Sequence, residues 1–538
     1  MNIKDNLKKL IAESLDNEIS VEEIIIEVPA DKNNGDFSSN VAMKSCKKLN
    51  KKPLEIAEIV KNNIKDELIE KIEIAGPGFI NFFVNKNYLL ENIKKVLGEK
   101  ENYGKSNIGG SKTVDLEFVS VNPTGVMHLG HTRGACFGDS LGNILSFAGY
   151  DVTKEYYIND AGNQMINMAK SIKERYKEIC GLPSQMEENF YYGNEIIEIA
   201  KKMYEDKQEG YLDADLEVFK KIGLNTFLNK IKEDLLTIGV KFDVWSSEQA
   251  LRDNGKVERA LKKLKDLGYT YEKEGAIWLK TSDFGDEKDR VLIKTDNSYT
   301  YLVPDIAYHL DKIERGYDYL IDVLGADHHG YIPRLKAAVT MLGQDANKLS
   351  VSIVQMVRAI KDKKEYKISK RTGKSITMID MANEVGIDAL RYFFVSKSLD
   401  TQMDFDVDLA TTKSTENPVY YIQYAHARIC SILNNYKAEE LTPGYKFETI
   451  NDESAYNVLA KIYEFKETVE KSATKKEVHL ITNYAYELAN LFHSYYASEK
   501  IITDDKKKTK ERIYLINAVK ITIANALKLI GVTSPEKM

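Results

Sequence analysis

Cysteine is scarce in this chain. Its four cysteines, at 46, 136, 180 and 430, lie far apart and form no C-x-x-C pair. That argues against a disulfide framework and a cysteine-based zinc site, and a reducing cytoplasm fits. Long apolar runs are missing too. Nothing approaches the ~18 residues a membrane span needs. The opening MNIKDNLKKL has no apolar stretch followed by small residues, so it does not read as a secretory signal. Excess positive charge is absent: 76 Lys+Arg against 82 Asp+Glu give a net −6. Any nucleic-acid binding must therefore come from a local basic patch. No short-period repeat or low-complexity tract stands out.

What is present is 538 residues, 43% of them hydrophobic. That is the composition of a globular chain, with length for three or four domains. Residues 1–105 read as a small α+β unit: amphipathic helical patterns at 4–15 and 53–69, then a strand pair, KIEIAGPGFINFFV, turning on Gly-Pro-Gly. YGKSNIGGSK (103–112) reads as a linker. Residues 106–410 alternate strands with helices, which predicts a Rossmann-like parallel sheet. TVDLEFVSV, Asp151–Ile158 and Tyr319–Leu324 are its strands, with a helix over about 129–148. The stretch 162–290 reads as an insertion, mostly helical with a hairpin-like YTYEKEGAIWLKT. Residues 411–538 read as an all-α bundle, with 18 Lys/Arg against 16 Asp/Glu.

Two segments carry chemistry. In EFVSVNPTGVMHLGHTRGACFGD a strand runs into the turn Asn122-Pro123-Thr124-Gly125, and a helix opens on His128-Leu129-Gly130-His131. Residues three apart share a helical face. In the first turn, the free backbone N–H groups and the helix dipole favour an anion. Gly130 leaves the backbone bare, so a ring or phosphate can approach it. Two imidazoles there can stabilise charge developing on a phosphate. Either histidine alone would be read as a satisfied cap, but the spaced pair after a strand favours chemistry. The second segment, RAIKDKKEYKISKRTGK (358–374), sets eight Lys/Arg against two acids. It contains Lys367, Ser369 and Lys370 ahead of Gly373. Such a loop can close on a triphosphate, or it can be a solvated charge run.

The two motifs in this order resemble the signatures of class I aminoacyl-tRNA synthetases. The fuller wording, NPTGVMHLGHTRGACFGD and VQMVRAIKDKKEYKISKRTG, is similar to the arginyl-tRNA synthetase family in particular. YLVPDIAYHLDK, LGADHHGYIPR, IDALRYFFV, ENPVYYIQYAHARI, the closing GVTSPEKM, GDFSSNVA and IAGPGFINFF carry the same likeness, so it spans nearly the whole chain. Two departures stand out. Lys370 is kept where many members of the family have lost it, and Val126-Met127 replaces the commoner Pro-Leu.

The resemblance implies ATP-dependent ligation of L-arginine to its tRNA through an arginyl-adenylate, with tRNA bound before the adenylate forms. It implies that His128, His131, Lys367 and Lys370 act on the phosphates. Gly130, Gly325, Asp327, His328 and Ser369 would hold ATP, which would bring Mg²⁺; no protein-bound structural metal is expected. Glu117 and Asp305 would hold the guanidinium, with Tyr301 flanking it, and Ser120 and Asn122 would take the α-amino group. Tyr420, Tyr421, Gln423, Tyr424 and Arg428 would meet tRNA through the C-terminal bundle, and residues 1–105 would meet its elbow. A cytoplasmic monomer is expected. The rivals are another class I synthetase, a related nucleotidylyltransferase, and a catalytically idle tRNA-binding paralogue.

Overall fold

The computed structural model describes residues 3–29, 31–366, 376–436, 441–442 and 444–538, without the side chains of 32 and 327–329. The N-terminal unit is a three-stranded antiparallel sheet with Phe79–Val84 in the middle, Phe37–Ser39 and Ile69–Ala75 at its edges, and helices around it. Its Gly-Asp-Phe turn is structural. Gly35 sits at φ +88, where a Cβ would run into the Phe82 carbonyl. The Asp36 carboxylate accepts the Val84 amide at 2.9 Å. The helix expected over 53–69 stops at Asn63. The Asn63 side chain donates to the Ser14 carbonyl, and Asp66 captures the Leu68 amide, so the chain leaves the helix for the coming strand.

The central sheet has five parallel strands: β1 (Thr113–Phe118), β2 (Asp151–Ile158), β3 (Val244–Ser247), β4 (Tyr319–Gly325) and β5 (Leu349–Val354). Their order is β5-β4-β1-β2-β3. The chain winds outward from β1 to β3, then returns to β1's other side as β4. The crevice between β1 and β4 is therefore the switch point, where such sheets bind ligands. β3 corrects the expectation that all of 162–290 is an insertion. Four residues, VWSS, are too few to show a period, yet they form the sheet's edge. Helices Asn163–Ile179, Asn194–Lys207 and Leu216–Thr237 precede β3. A separate antiparallel sheet over Thr270–Lys273, Ala276–Leu279 and Arg290–Ile293 follows it and contains the expected hairpin.

Helix α1 (Leu129–Phe147) packs on the face of β1 that carries Leu116 and Phe118. Gly138 permits this, since a Cβ there would strike the Phe118 ring. The other face carries acids. Glu117 on β1 is in register with Asp322 on β4 and with Glu155 on β2, and Asp115 lies two residues earlier. Helix α2 (Leu302–Glu314) and Arg315 cover this row with cations. Lys312, fully buried, reaches Glu117 at 2.7 Å, Asp322 at 3.0 Å and Asp115 at 3.2 Å. Arg315 grips both oxygens of Glu155 at 2.6 and 3.0 Å. His309 places Nε2 2.9 Å from Asp322 and Nδ1 2.8 Å from the Asp305 carbonyl. Both partners are acceptors, so the imidazole holds both its protons. Burial pushes Asp115 up to about 8, and its neighbour Glu155 adds to the push. Burial also opposes the charge on Glu155, but Asp115's hydrogen bond and the Arg315 fork hold it down at about 2. Four acids thus face Lys312, Arg315 and His309, and burial favours a neutral Asp115 among them.

Removing Lys312 would leave buried carboxylates uncompensated. Lys312→Met is expected to cost ~3–5 kcal/mol of stability, read as a lowered denaturation midpoint. An unchanged midpoint would show that the row tolerates its own charge.

The C-terminal bundle consists of Pro418–Asn435, Glu453–Tyr463, Phe465–Lys475, His479–Ser498 and Lys506–Leu529. It is bolted to the central domain through the Asp-Ala-Leu-Arg segment. The buried Arg391 guanidinium donates to Ile530 O, Ile238 O and Asp139 Oδ2. Asp388 accepts from Gln423 and from the Thr533 amide. The presumed linker is also tied down: the Tyr103 hydroxyl donates to Ile462 O, and Asn525 donates to the carbonyls of Lys100 and Tyr103. No described helix is long and apolar enough to cross a membrane.

Candidate active site

β1 does not continue to Val121 as a strand. It ends at Phe118, and Val119 and Ser120 turn through φ +72 and +41. A β-branched residue in the left-handed region is strained, and neighbours must hold it there. They do. Ser120 Oγ donates to Glu117 at 2.9 Å and accepts the Tyr157 amide at 3.1 Å, and the Tyr156 hydroxyl caps Val121 O at 2.8 Å. The turn delivers Asn122, Thr124 and Gly125 to the mouth of the β1–β4 crevice.

His128 is the N-cap of α1, in extended conformation, and His131 lies in the first turn. Their rings stack, with centroids 3.7 Å apart. The His128 backbone amide donates to His131 Nδ1 at 3.3 Å. That leaves Nε2 of His131 to carry the proton outward. Partial burial lowers the His128 pKa. Gly130 sits under the His128 ring, 3.5 Å from its Nδ1 to an imagined Cβ. The expectation of two imidazoles on one face is met, with a cap in place of a first helical residue.

The pocket beneath has a volume of about 710 Å³ and is lined by the ends of β1, β2 and β4 and by the start of α2. Asp305 is on its wall. Burial holds this carboxyl up at about 6, against the hydrogen bond it receives from Tyr331. Tyr301 stands at the N-terminus of α2 on the pocket rim, 83% exposed. Glu117 faces the same space, but one oxygen is held by Lys312 and the other by Ser120. Asp322 also lines it, and Glu248, just after β3, is a fourth carboxylate here, held by Arg252 at 2.6 Å. Tyr157, Asn159, Tyr308 and Tyr331 complete the wall. Sequence reading missed Glu248 because the edge strand that places it was itself invisible. It missed Tyr331 because the bond to Asp305 spans 26 residues.

Gly325 ends β4 at the pocket. Asp327 and His328 lie in the short 3-10 helix Ala326–Tyr331, and their side chains fall outside the described ones. Lys367, Ser369 and Lys370 lie outside the described residues. The ends of that loop are placed. A hairpin, Val357–Lys361 with Lys364–Glu365, leads in. On the far side, the Met378 amide donates to Met127 O at 2.9 Å, and Thr377 bridges His128. The basic loop therefore returns to the histidine turn.

On Pro418–Asn435, Tyr420 and Tyr424 stack, with centroids 6.3 Å apart. Arg428 lies over the rings of Tyr424 at 4.5 Å and Tyr496 at 4.8 Å. Tyr421 packs on His493 at 4.4 Å. Gln423 is buried, and its amide donates to Asp388 and to Thr533 O. Its amide belongs to the fold, which corrects the expectation of an RNA contact there. The helix period sets Gln423 inward, while Tyr420, Tyr424 and Arg428 are half-buried.

Three family models match: Arginyl tRNA synthetase N terminal domain over residues 1–84, tRNA synthetases class I (R), catalytic domain over 92–413, and DALR anticodon binding domain over 422–538. The arginine–tRNA ligase of Bacillus pumilus is 50% identical across 100% of this chain and 99% of its own. That of Bacillus subtilis is 49% identical across 100% of both. Among solved structures, the Thermus thermophilus arginyl-tRNA synthetase matches with a TM-score of 0.78 over 100% of both chains at 20% identity, a likeness of fold.

Proposed function

The chain belongs to the class I arginyl-tRNA synthetases, and from that premise we propose which of its residues do the work. It joins arginine to tRNA for translation, at the expense of ATP. In our reading, the α-phosphate of ATP lies over Gly130 between the stacked histidines and the mouth of the β1–β4 crevice. The amino acid carboxylate attacks it in line, so the protein supplies position and charge rather than a nucleophile. His128 and His131 face the phosphates. Lys367 and Lys370 close from the loop whose far end is pinned at Met127 and His128. Gly325, Asp327 and His328 hold the nucleoside, and Ser369 joins them from the loop. Magnesium arrives with the nucleotide phosphates.

The guanidinium lies in the acidic pocket. The observation that carries this is the Asp305 carboxyl, raised by its surroundings and supported by a tyrosine hydroxyl, in a wall that otherwise has its charges paired. An incoming cation would stabilise its ionised form further. Tyr301 would close over the guanidinium plane, while Ser120 and Asn122 would take the α-amino group. Glu117 contributes through its Ser120-bound oxygen. The half-buried ladder of Tyr420, Tyr424 and Arg428 would meet tRNA by stacking, Tyr421 packing behind it. A cytoplasmic monomer with domains at 1–105, 106–410 and 411–538 completes the reading.

Arginine-dependent exchange of pyrophosphate into ATP, run with and without tRNA, tests this. Exchange that needs both arginine and tRNA is expected. Exchange at full rate without tRNA would overturn the coupling, and no exchange in either case would leave an idle paralogue.

A further inference from the structure

The bundle helix Phe465–Lys475 ends on Lys476, which takes φ +57 and ψ +40. Glycine is the usual residue in that left-handed position, because a Cβ there is strained. The side chain kept here is half-buried and makes no hydrogen bond or ion pair among the described residues. Burial pushes its pKa down, and the charge of Lys336, on the helix Ile332–Met341, adds to the push. A helix C-terminus favours a cation, but the exposed Lys475 meets that preference without being desolvated. Strain, desolvation and repulsion thus fall together on Lys476, and no acid offsets them.

Lys476 lines a cavity of about 210 Å³ between the bundle and the central sheet. The cavity lies near the starts of β1, β4 and β5, at Val114, Tyr319 and Ser350. That is the end of the sheet opposite the catalytic crevice. Among the described residues its walls carry two lysines, Lys348 and Lys476, and no acid. Tyr319 accepts from Lys112 at 3.2 Å and keeps its own proton to donate. Ser350 and Thr474 add hydroxyls. Asp318, beside Tyr319, is committed to the Thr113 amide at 2.8 Å and hydroxyl at 3.1 Å, and it also feels the charge of Lys348. Asp345 caps the Asn347 amide at 2.9 Å. Glu477 and Asp400 line a neighbouring cavity, which Lys476 also borders.

We infer that this cavity binds a small phosphate anion, at a site separate from catalysis. Ammonium groups, hydroxyl donors and the lack of a facing carboxylate match a multiply charged oxyanion. Such an anion would offset the repulsion between Lys476 and Lys336 and favour the charged form of the desolvated ammonium. The volume corresponds to about seven waters, room for inorganic phosphate or pyrophosphate and too little for a whole nucleotide. Bound there, the anion would bridge Lys476 of the bundle and Lys348 and Tyr319 of the sheet, tightening the junction of the two domains.

Calorimetric titration of the full-length protein with pyrophosphate, in the absence of ATP and tRNA, tests this. The parent is expected to bind at the histidine turn and at this cavity. His131→Ala should keep the second of these. Adding Lys476→Met to His131→Ala should weaken it about tenfold, as for one lost hydrogen bond to a charged group. Lys476→Gly should melt no earlier than the parent without anion, since strain and repulsion are removed, and should gain less stability from pyrophosphate. Equal affinity in His131→Ala with and without Lys476→Met would make Lys476 a solvated helix end and overturn the inference. Loss of all pyrophosphate binding in His131→Ala, with its melting temperature intact, would do the same. A tRNA affinity lowered by Lys476→Met, with pyrophosphate affinity unmoved, would assign the lysines to the RNA backbone and equally overturn it.

Discussion

Asp305→Asn is expected to reduce kcat/KM for arginine by the equivalent of ~2–4 kcal/mol, since a buried guanidinium loses its charge partner. The ATP KM should barely move, because the proposed nucleotide site is at the histidine turn and not at the acidic wall. Stability should not explain the loss. The fold holds the Asp305 carboxyl up at about 6 from an ordinary 3.8. The protonated form is thus the one the fold favours. Its stabilising contribution is fully present below 3.8 and is lost as pH rises through about 6. Asparagine, neutral at every pH, avoids that loss, so the variant should melt no earlier than the parent at neutral pH. The same value predicts that arginine binding by the parent weakens as pH falls through about 6, while Asp305→Asn shows no such step. An arginine kcat/KM near normal in the variant would place the guanidinium elsewhere.

The second large effect is expected in the basic loop. Lys367→Ala and Lys370→Ala should each lower kcat about 10²-fold, as when a positioned donor to transition-state charge is lost, with a much smaller change in arginine binding. The structure adds a reason to the clustered charge. The strand pair before residue 367 and the contacts of Thr377 with His128 and Met378 with Met127 place the two described flanks of the segment, one of them on the backbone of the histidine turn. Pre-steady-state measurement of adenylate formation separates this from product release. Unchanged rates in both variants would return the segment to a solvated charge run.

Much of this was legible in the sequence, and the particulars show why. The histidine pair was readable because strand, turn and i, i+3 spacing are local, and α1 begins where that pattern starts. The parallel strands β1, β2 and β4 were readable as short apolar runs between helices. β3 was not, since four residues carry no period, and with it went Glu248. The acidic row was half visible: Glu117 on a strand entering the site had to be buried and paired. Its partner Lys312 lies 195 residues away, and no spacing rule joins them. Asp305 and Tyr301 came from family resemblance, and their placement one helical turn apart at the start of α2 is what sets both at one pocket.

The bundle also changes how tRNA binding should be tested. Deleting 411–538 would remove the Ile530 carbonyl from Arg391 and Gln423 and Thr533 from Asp388. It would also uncover buried apolar side chains, so lost activity would report the fold. Point changes on the half-buried ladder of Tyr420, Tyr424 and Arg428 leave those ties intact.

The most direct measurement is the charging of total tRNA with each of the twenty amino acids in the presence of ATP and magnesium. The account predicts that arginine alone is esterified, to its own tRNA, and that the product vanishes when ATP is omitted. Esterification of a different amino acid, or none with arginine, would contradict it.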